Sequence, residues 1–324
     1  MLQDDAEVQE INAGVGQPRI SVLMPVFEQK RFIAAALRSI LEQRGITAEL
    51  LISDDASGDD SFAEVLACIG QALRQGPVRH RIILRRGRKR LWRNHLPLLA
   101  EMAQCDLLCQ AHGDDISHPE RLHYIVAGFD RYPGCTMVSA GHTNILGDTG
   151  ETGTTVRGAG FPLNDQTIIR NHPNLIGCNV AWRRSALACF PRLDTSFAAA
   201  AHDRILAFRA YLAGSILLLD MPLVMRRRHA LQAHVLSFAE PGSNGQFGWN
   251  LANLAHFEAM TRDLDTALTC GLITAERHRV LAGIMSASVQ HATREIVSAY
   301  NRHTNAGLHV AWVDRRTIIQ LRGG

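Results

Sequence analysis

The sequence predicts an α/β protein with a mostly parallel sheet flanked by helices, followed by a C-terminal helical extension. Three observations carry that expectation. Through roughly the first 140 residues, apolar runs of strand length alternate with apolar positions at helical spacing, which calls for parallel strands joined by crossover helices. Two of those runs, residues 50–52 (LLI) and 107–109 (LLC), lead into adjacent carboxylates, Asp54-Asp55 and Asp114-Asp115. Such a pair at the end of a buried strand marks the sheet edge where ligands of open α/β folds sit. Past the segment 241–248 the apolar positions keep helical spacing alone.

In chain order, residues 1–18 are expected to be a flexible leader, acidic and polar and without the charged-then-apolar pattern of a signal segment. Residues 20–26 (ISVLMPV) form a buried strand, and Ile33, Leu37, Ile40 and Leu41 a helix face. The strand 50–52 follows, then a turn around Ala56-Ser57-Gly58 and a helix marked by Phe62, Val65, Leu66 and Ile69. A third strand, 82–84 (IIL), runs into a basic segment, and Trp92, Leu96 and Leu99 lie on the helix leading to the central strand. After Asp115, Ser117-His118-Pro119-Glu120 has the S-x-x-E form of a capping box, with Leu122, Ile125, Val126 and Phe129 as the stripe behind it.

A further strand is expected at 137–139 (MVS), and the Gly- and Thr-rich segment 147–160 reads as a mobile loop. Order resumes at 174–182. A small-residue turn, 198–201, precedes His202-Asp203, and Ile205, Phe208 and Leu212 place a helix directly behind that pair. Two short strands, 216–219 and 223–225, run into Arg226-Arg227-Arg228-His229, and 241–248 reads as a linker. Leu281, Ile284, Met285, Ile296 and Val297 give a long amphipathic helix, expected either to pack on the preceding domain, to pair two subunits or to lie on a membrane surface. The expected organisation is a leader (1–18), one domain (19–240, in halves 19–140 and 141–240) and a helical region (241–324).

Composition narrows the function. With 46% hydrophobic and 20% charged residues the chain is an ordinary globular protein, not a disordered one. A formal charge of +3 is too mild to argue for nucleic acid. Seven cysteines, none in a C-x-x-C pair, fit reduced thiols in the cytoplasm, and no stretch has the apolar length of a membrane span. The turn after the first strand, Pro25-Val26-Phe27-Glu28, offers no G-x-G-x-x-G, and G-x-x-x-x-G-K-[ST] occurs nowhere, so dinucleotide and P-loop readings lose their support.

The acidic pairs then carry the chemistry. Two carboxylates about 4 Å apart repel by roughly 4 kcal/mol at an effective dielectric near 20. A divalent cation, Mg2+ or Mn2+, relieves that repulsion and completes its shell with substrate phosphates. Alternatively Asp114 or Asp115 caps the next helix, and Asp54, Ser57 and Asp59 serve as turn residues. Arg86, Arg88, Lys89, Arg90 and Arg93 stand where some could neutralise a diphosphate, the others being solvated.

Residues 20–28 (ISVLMPVFE), 52–59 (ISDDASGD), Arg93-Asn94 and Gly113-Asp114-Asp115, in this order, resemble family 2 glycosyltransferases of the GT-A fold over roughly residues 19–235. The resemblance implies an inverting transferase with a nucleotide-diphosphate sugar donor, most often a UDP-sugar, a saccharide, lipid-linked or glycoconjugate acceptor, and Mn2+ or Mg2+. It places Pro25, Val26, Glu28 and Asp55 at the nucleoside, and from the basic segment Arg88 and Arg93 are assigned to the nucleotide as well. The family's D-x-D falls on His112-Gly113-Asp114, so the first acid is a histidine, and the adjacent pair takes over: Asp114 near ribose and metal, Asp115 on the metal. His112 either joins the metal shell or is a hydrogen-bonding neighbour. In similar enzymes an acidic pair opening a late helix supplies the general base, which is Asp203 here, with His202 beside it. Arg227-Arg228-His229 resembles the Y-R-x-H segment that closes on the diphosphate, with Arg226 at the tyrosine position, and Gly177 and Cys178 fall on the acceptor side.

Two other readings use the same residues. One is a catalytically silent sugar-nucleotide or glycan binder in which His112 marks a lost metal site. The other, a nucleotidyltransferase, suffers from the missing glycine-rich arginine loop. Location is expected to be cytoplasmic, with peripheral contact at the inner membrane face or a homodimer made through the C-terminal helices.

Overall fold

The computed structural model describes residues 6–11, 16–88, 91, 95–147, 149–170, 172–193, 202–229 and 245–303. Strand β1 (Glu7–Ile11) pairs antiparallel with β4 (Arg81–Arg86), so part of the expected leader is an edge strand. Charge fixes it there: Glu10 meets Arg81 at 2.5 Å and Glu7 meets Arg88 at 3.2 Å.

Strands β2 (Ile20–Val26), β3 (Ala48–Asp54), β4 and β5 (Leu107–Gln110) are all parallel, as their near-continuous apolar sequence requires. Their side chains divide between two cores. Val22, Met24, Leu50, Ile52 and Cys109 face one side, with α1 (Ile33–Leu41), α2 (Ser61–Gln75) and α4 (Arg121–Arg131). Leu23, Leu51 and Leu108 face the other, with α3 (His95–Met102) and α6 (His202–Ala213). The chain runs outward from β2 to β3 and β4, then returns to lay β5 on the other flank of β2. That reversal opens a crevice beyond the carboxyl ends of β2 and β5.

Past β5 the sheet becomes mixed. With β6 (Ile116–Ser117), β7 (Cys135–Leu146), β8 (Glu151–Val156), β9 (Val180–Arg183) and β10 (Ser215–Arg228), its order is β1-β4-β3-β2-β5-β9-β7-β10-β6, and β8 pairs with β7. β9 runs antiparallel to β5 and β7, while β7 and β10 are parallel. Several expectations change here. Ser117 lies in the short strand β6 (Ile116–Ser117), and α4 begins at Arg121 with no side-chain cap, because β6 pairs with β10 and removes Ser117 from the cap position. The segment expected to be a mobile loop contains β8 (Glu151–Val156), antiparallel to β7. The two short strands at 216–225 are one strand, β10, with register shifts around Pro222, whose missing N–H interrupts the ladder.

A short helix, α5 (Asp165–Arg170), precedes β9. Two long helices, α7 (Gly245–Thr269) and α8 (Ala275–His303), close the described chain, so residues 245–248 of the expected linker are helical. They share a core with the second half of the sheet: Met260, Leu264, Leu281 and Met285 pack in one cluster with Trp182, Leu206 and Phe208. A buried bidentate pair, Arg209 to Asp263 at 2.7 and 2.9 Å, ties α6 to α7. No described helix is long and apolar enough to cross a membrane.

Candidate active site

The cleft is built at the carboxyl ends of β2, β3 and β5. Val26 ends β2 with its carbonyl accepting the Asp55 N–H at 2.8 Å, and Pro25 stands opposite Ser53. Glu28 follows with a left-handed φ of 49°, held there by donating its N–H to Ser57 Oγ at 2.9 Å. Asp54 is a turn residue, its Oδ2 accepting Ser57 N at 3.0 Å. Asp55 is buried, and its Oδ1 accepts Leu91 N at 2.7 Å, which fixes Leu91 at this end of the sheet. Arg86 lies over the Phe62 ring of α2, and Arg88 pairs with Glu7 on the β1 edge. Lys89, Arg90, Trp92, Arg93 and Asn94, and the turn at 198–201, lie outside the described residues.

Beyond β5 the acidic loop is held from all sides. Asp115 Oδ1 accepts the Arg227 backbone N–H at 2.8 Å, and its Oδ2 lies 3.3 Å from His112 Nδ1. Asp114 Oδ2 lies 3.0 Å from His229 Nε2. The Arg227 guanidinium donates to the carbonyls of Asp114 and Gly147 at 3.1 and 2.7 Å and covers the Phe32 ring, which also packs on the His229 imidazole. Gly113 packs closely in this loop, since a Cβ there would press on the end of the Gln29 side chain, which would have to shift.

Asp203 reaches the same place from the far half of the chain. It opens α6, and its Oδ2 accepts the Gly177 N–H at 3.0 Å, while Gly177 packs against His112 and Gln110. His202, half-buried, sits at the start of the same helix. Beside the Gly177 contact Arg121, a buried cation, donates to the carbonyls of Gln110 at 2.9 Å and Cys178 at 2.7 Å and so ties the end of β5 to the turn Gly177–Asn179. Asp203, Gly177, Cys178, His112, Asp114, Asp115, Arg227 and His229 are therefore one constellation, with Asp55 and Glu28 on the β2–β3 side.

Electrostatics follow from the geometry. Burial would lower the His112 pKa, but the bond and charge of Asp115 and the charges of Asp114 and Asp203 outweigh it and raise it. Burial first, and Asp115 next, push the Cys178 thiol well above its ordinary value. These residues fit a divalent cation: ligand atoms of His112, Asp115 and Cys178 lie within 4.8 Å of one another. Arg121, Gln110, Phe32 and the Cys178 sulfur are the functional features the sequence reading missed.

A strand-end acidic cleft at the switch point of a mixed α/β sheet, with a carboxylate delivered from a late helix, defines a group-transfer site on a nucleotide-binding scaffold. Residues 21–190 match the family described as glycosyl transferase family 2, and the chain belongs to that family. It is 35% identical over 130 residues to protein MT1568 of Mycobacterium tuberculosis and 31% identical over 124 residues to EpsE of Bacillus subtilis. Those matches cover 40% and 38% of this chain and 38% and 43% of the relatives' own lengths. Among solved structures it resembles TarS 1–349 of S. aureus (TM-score 0.52, 15% identity, 89% of this chain and 93% of that one). It also resembles the mannosyltransferase PcManGT of Pyrobaculum calidifontis (TM-score 0.53, 15% identity, 95% and 80%). At this identity the likeness concerns the fold, GT-A.

Proposed function

We propose that the chain is an inverting glycosyltransferase that moves a sugar from a nucleotide-diphosphate donor, a UDP-sugar, onto a saccharide, lipid-linked or glycoconjugate acceptor. One observation carries this reading: Asp203 Oδ2 is held on the Gly177 N–H, and Gly177 packs on His112, whose Nδ1 lies 3.3 Å from Asp115. A base and an acidic donor seat thus share one cleft. Neighbours of the same fold solved with UDP-GlcNAc (TarS) and with GDP-Man and Mn2+ (PcManGT) support a donor of that class.

In this reading Pro25, Val26, Glu28 and Asp55 line the base and Asp114 faces the ribose. Asp203 accepts the proton of the acceptor hydroxyl as that oxygen bonds to the anomeric carbon. The bond from that carbon to the donor's phosphate oxygen breaks, and its electron pair leaves with the nucleotide diphosphate. Arg227 holds the acidic loop in place through its contacts with Asp114 and Asp115. A divalent cation on Asp115, beside Asp114, neutralises the diphosphate when bound. Opposed placement of base and leaving group inverts the anomeric centre.

The test is a donor and acceptor screen read by mass spectrometry, paired with thermal melts. A UDP-sugar at 100 times its Kd is expected to stabilise the protein by about 2.7 kcal/mol, and only with a divalent cation present. Binding that survives chelation, with no product across the acceptor panel, would support the silent binder instead.

A further inference from the structure

We propose that His112, Asp115 and Cys178 form a mixed nitrogen, oxygen and sulfur site that takes a borderline-soft divalent cation, zinc or cobalt(II), in preference to magnesium. This rests on the reading above only in taking the cleft as the cation seat.

Four observations carry it. The donor atoms of the three residues lie within 4.8 Å of one another, and His112 Nδ1 is 3.3 Å from Asp115 Oδ2. They come from two segments, the loop after β5 and the turn Gly177–Asn179, which Arg121 fastens together through the carbonyls of Gln110 and Cys178. Meanwhile Asp114 Oδ2 is engaged by His229 at 3.0 Å, so the acidic pair does not act as two equivalent oxygen donors. A thiol takes part in that set; a bound cation releases the thiol proton to solvent, and thiolate with imidazole suits zinc, whereas magnesium requires an oxygen shell.

The outer contacts of His112 fit the same role. Its Nε2 lies 3.0 Å from the Gln110 amide, whose Oε1 is buried without a hydrogen-bond partner among the described residues. A half-turn of that amide, which exchanges its O and N positions, lets Oε1 accept from His112 Nε2–H. A cation that displaces the Nδ1 proton shared with Asp115 then meets the Nδ1 lone pair beside Asp115 and Cys178, the outer-shell arrangement metal-binding histidines use. Gly177 leaves room for this pair: a Cβ there would stand 3.0 Å from His112 Nε2 and 3.1 Å from both polar atoms of the Gln110 amide. The site is also open on one side. Asp115 and Cys178 are buried, but the His112 side chain is 35% exposed, so three protein donors leave a position for a substrate oxygen.

The experiment is a cobalt(II) titration of the chelator-treated full chain, followed by optical absorption. A sulfur-to-cobalt charge-transfer band is expected, saturating at stoichiometric metal, displaced by zinc and untouched by excess magnesium. Cys178→Ser, or Cys178→Ala should the serine variant misfold, is expected to lose the band with its circular dichroism unchanged. The double variant Cys189→Ser/Cys270→Ser, which removes the exposed thiols, is expected to keep it. Gln110→Leu is expected to weaken cobalt binding by roughly 10–100-fold while leaving the band shape intact. No band in the wild type, or a band that survives loss of Cys178, overturns the proposal. Donor binding in Mn2+, measured alongside by calorimetry, separates the two readings: donor binding without the band rejects only the sulfur site. The band without binding of any nucleotide sugar rejects only the transferase reading.

Discussion

Gly177 shows how closely the cleft is fitted at the residue scale. Its N–H holds Asp203, and a Cβ there would stand 3.0 Å from His112 Nε2 and 3.1 Å from the Gln110 amide, so those side chains would have to give way. Gly177→Ala is therefore expected to cost about 1–3 kcal/mol through overpacking and to weaken donor binding, read by denaturant melts and calorimetry on the same preparation. Buried histidines set the acid limit of the fold. Burial first, then the charge of Arg226, pushes His142 down to about 4, and burial also lowers His80 and His172. An unfolded imidazole takes up its proton near 6.5, so below that pH the unfolded chain binds more protons than the folded one. The His142 contribution is whole above the unfolded value and is lost as pH falls from there through about 4. Urea melts are expected to show about 2 kcal/mol less stability at pH 5 than at pH 7 from this group, a slope that His142→Gln flattens. A pH-independent difference between the two proteins would contradict it.

Among the elements, α6 does two jobs, presenting Asp203 at its first turn and anchoring α7 through Arg209. Asp263→Ala leaves the Arg209 guanidinium buried without its carboxylate and is expected to cost about 3–5 kcal/mol by chemical denaturation, while Arg209→Met/Asp263→Leu recovers most of that loss. A single variant as stable as the wild type would show that α7 is held by its apolar contacts alone. What the sequence made legible follows element by element from local chemistry. β2, β3 and β5 were readable because strands buried on both faces are continuous apolar runs, and their ends because Asp54-Asp55 and Asp114-Asp115 interrupt them. β8 was not, since a two-thirds polar strand such as Glu151–Val156, exposed along most of its length, carries no apolar alternation and is specified only by pairing with β7. Ser117 misled for the same reason: its S-x-x-E spacing is local, whereas its pairing partner Val224 is distant in sequence. In the cleft the acids were legible from their charge. The Cys178 sulfur and the Arg121 clamp depend on a fold-made meeting of β5 with the turn Gly177–Asn179, which no local pattern announces.

For the whole molecule, the sheet brings residues from both halves of the chain to one edge. The outward path of β2, β3 and β4 supplies Glu28 and Asp55, the return to β5 supplies His112, Asp114 and Asp115, and the antiparallel excursion through β9 delivers Gly177, Cys178 and Asp203. In the proposed reading the parallel half alone would bind without a base, and the second half alone would have a base without a donor, so transfer would depend on Asp203 joining the acidic pair in one cleft. The most direct measurement is steady-state transfer by Asp203→Asn beside calorimetric donor binding by the same protein. The account expects kcat to fall by about 10²–10⁴-fold with donor Kd changed no more than a few-fold. A variant that turns over at the wild-type rate would contradict it.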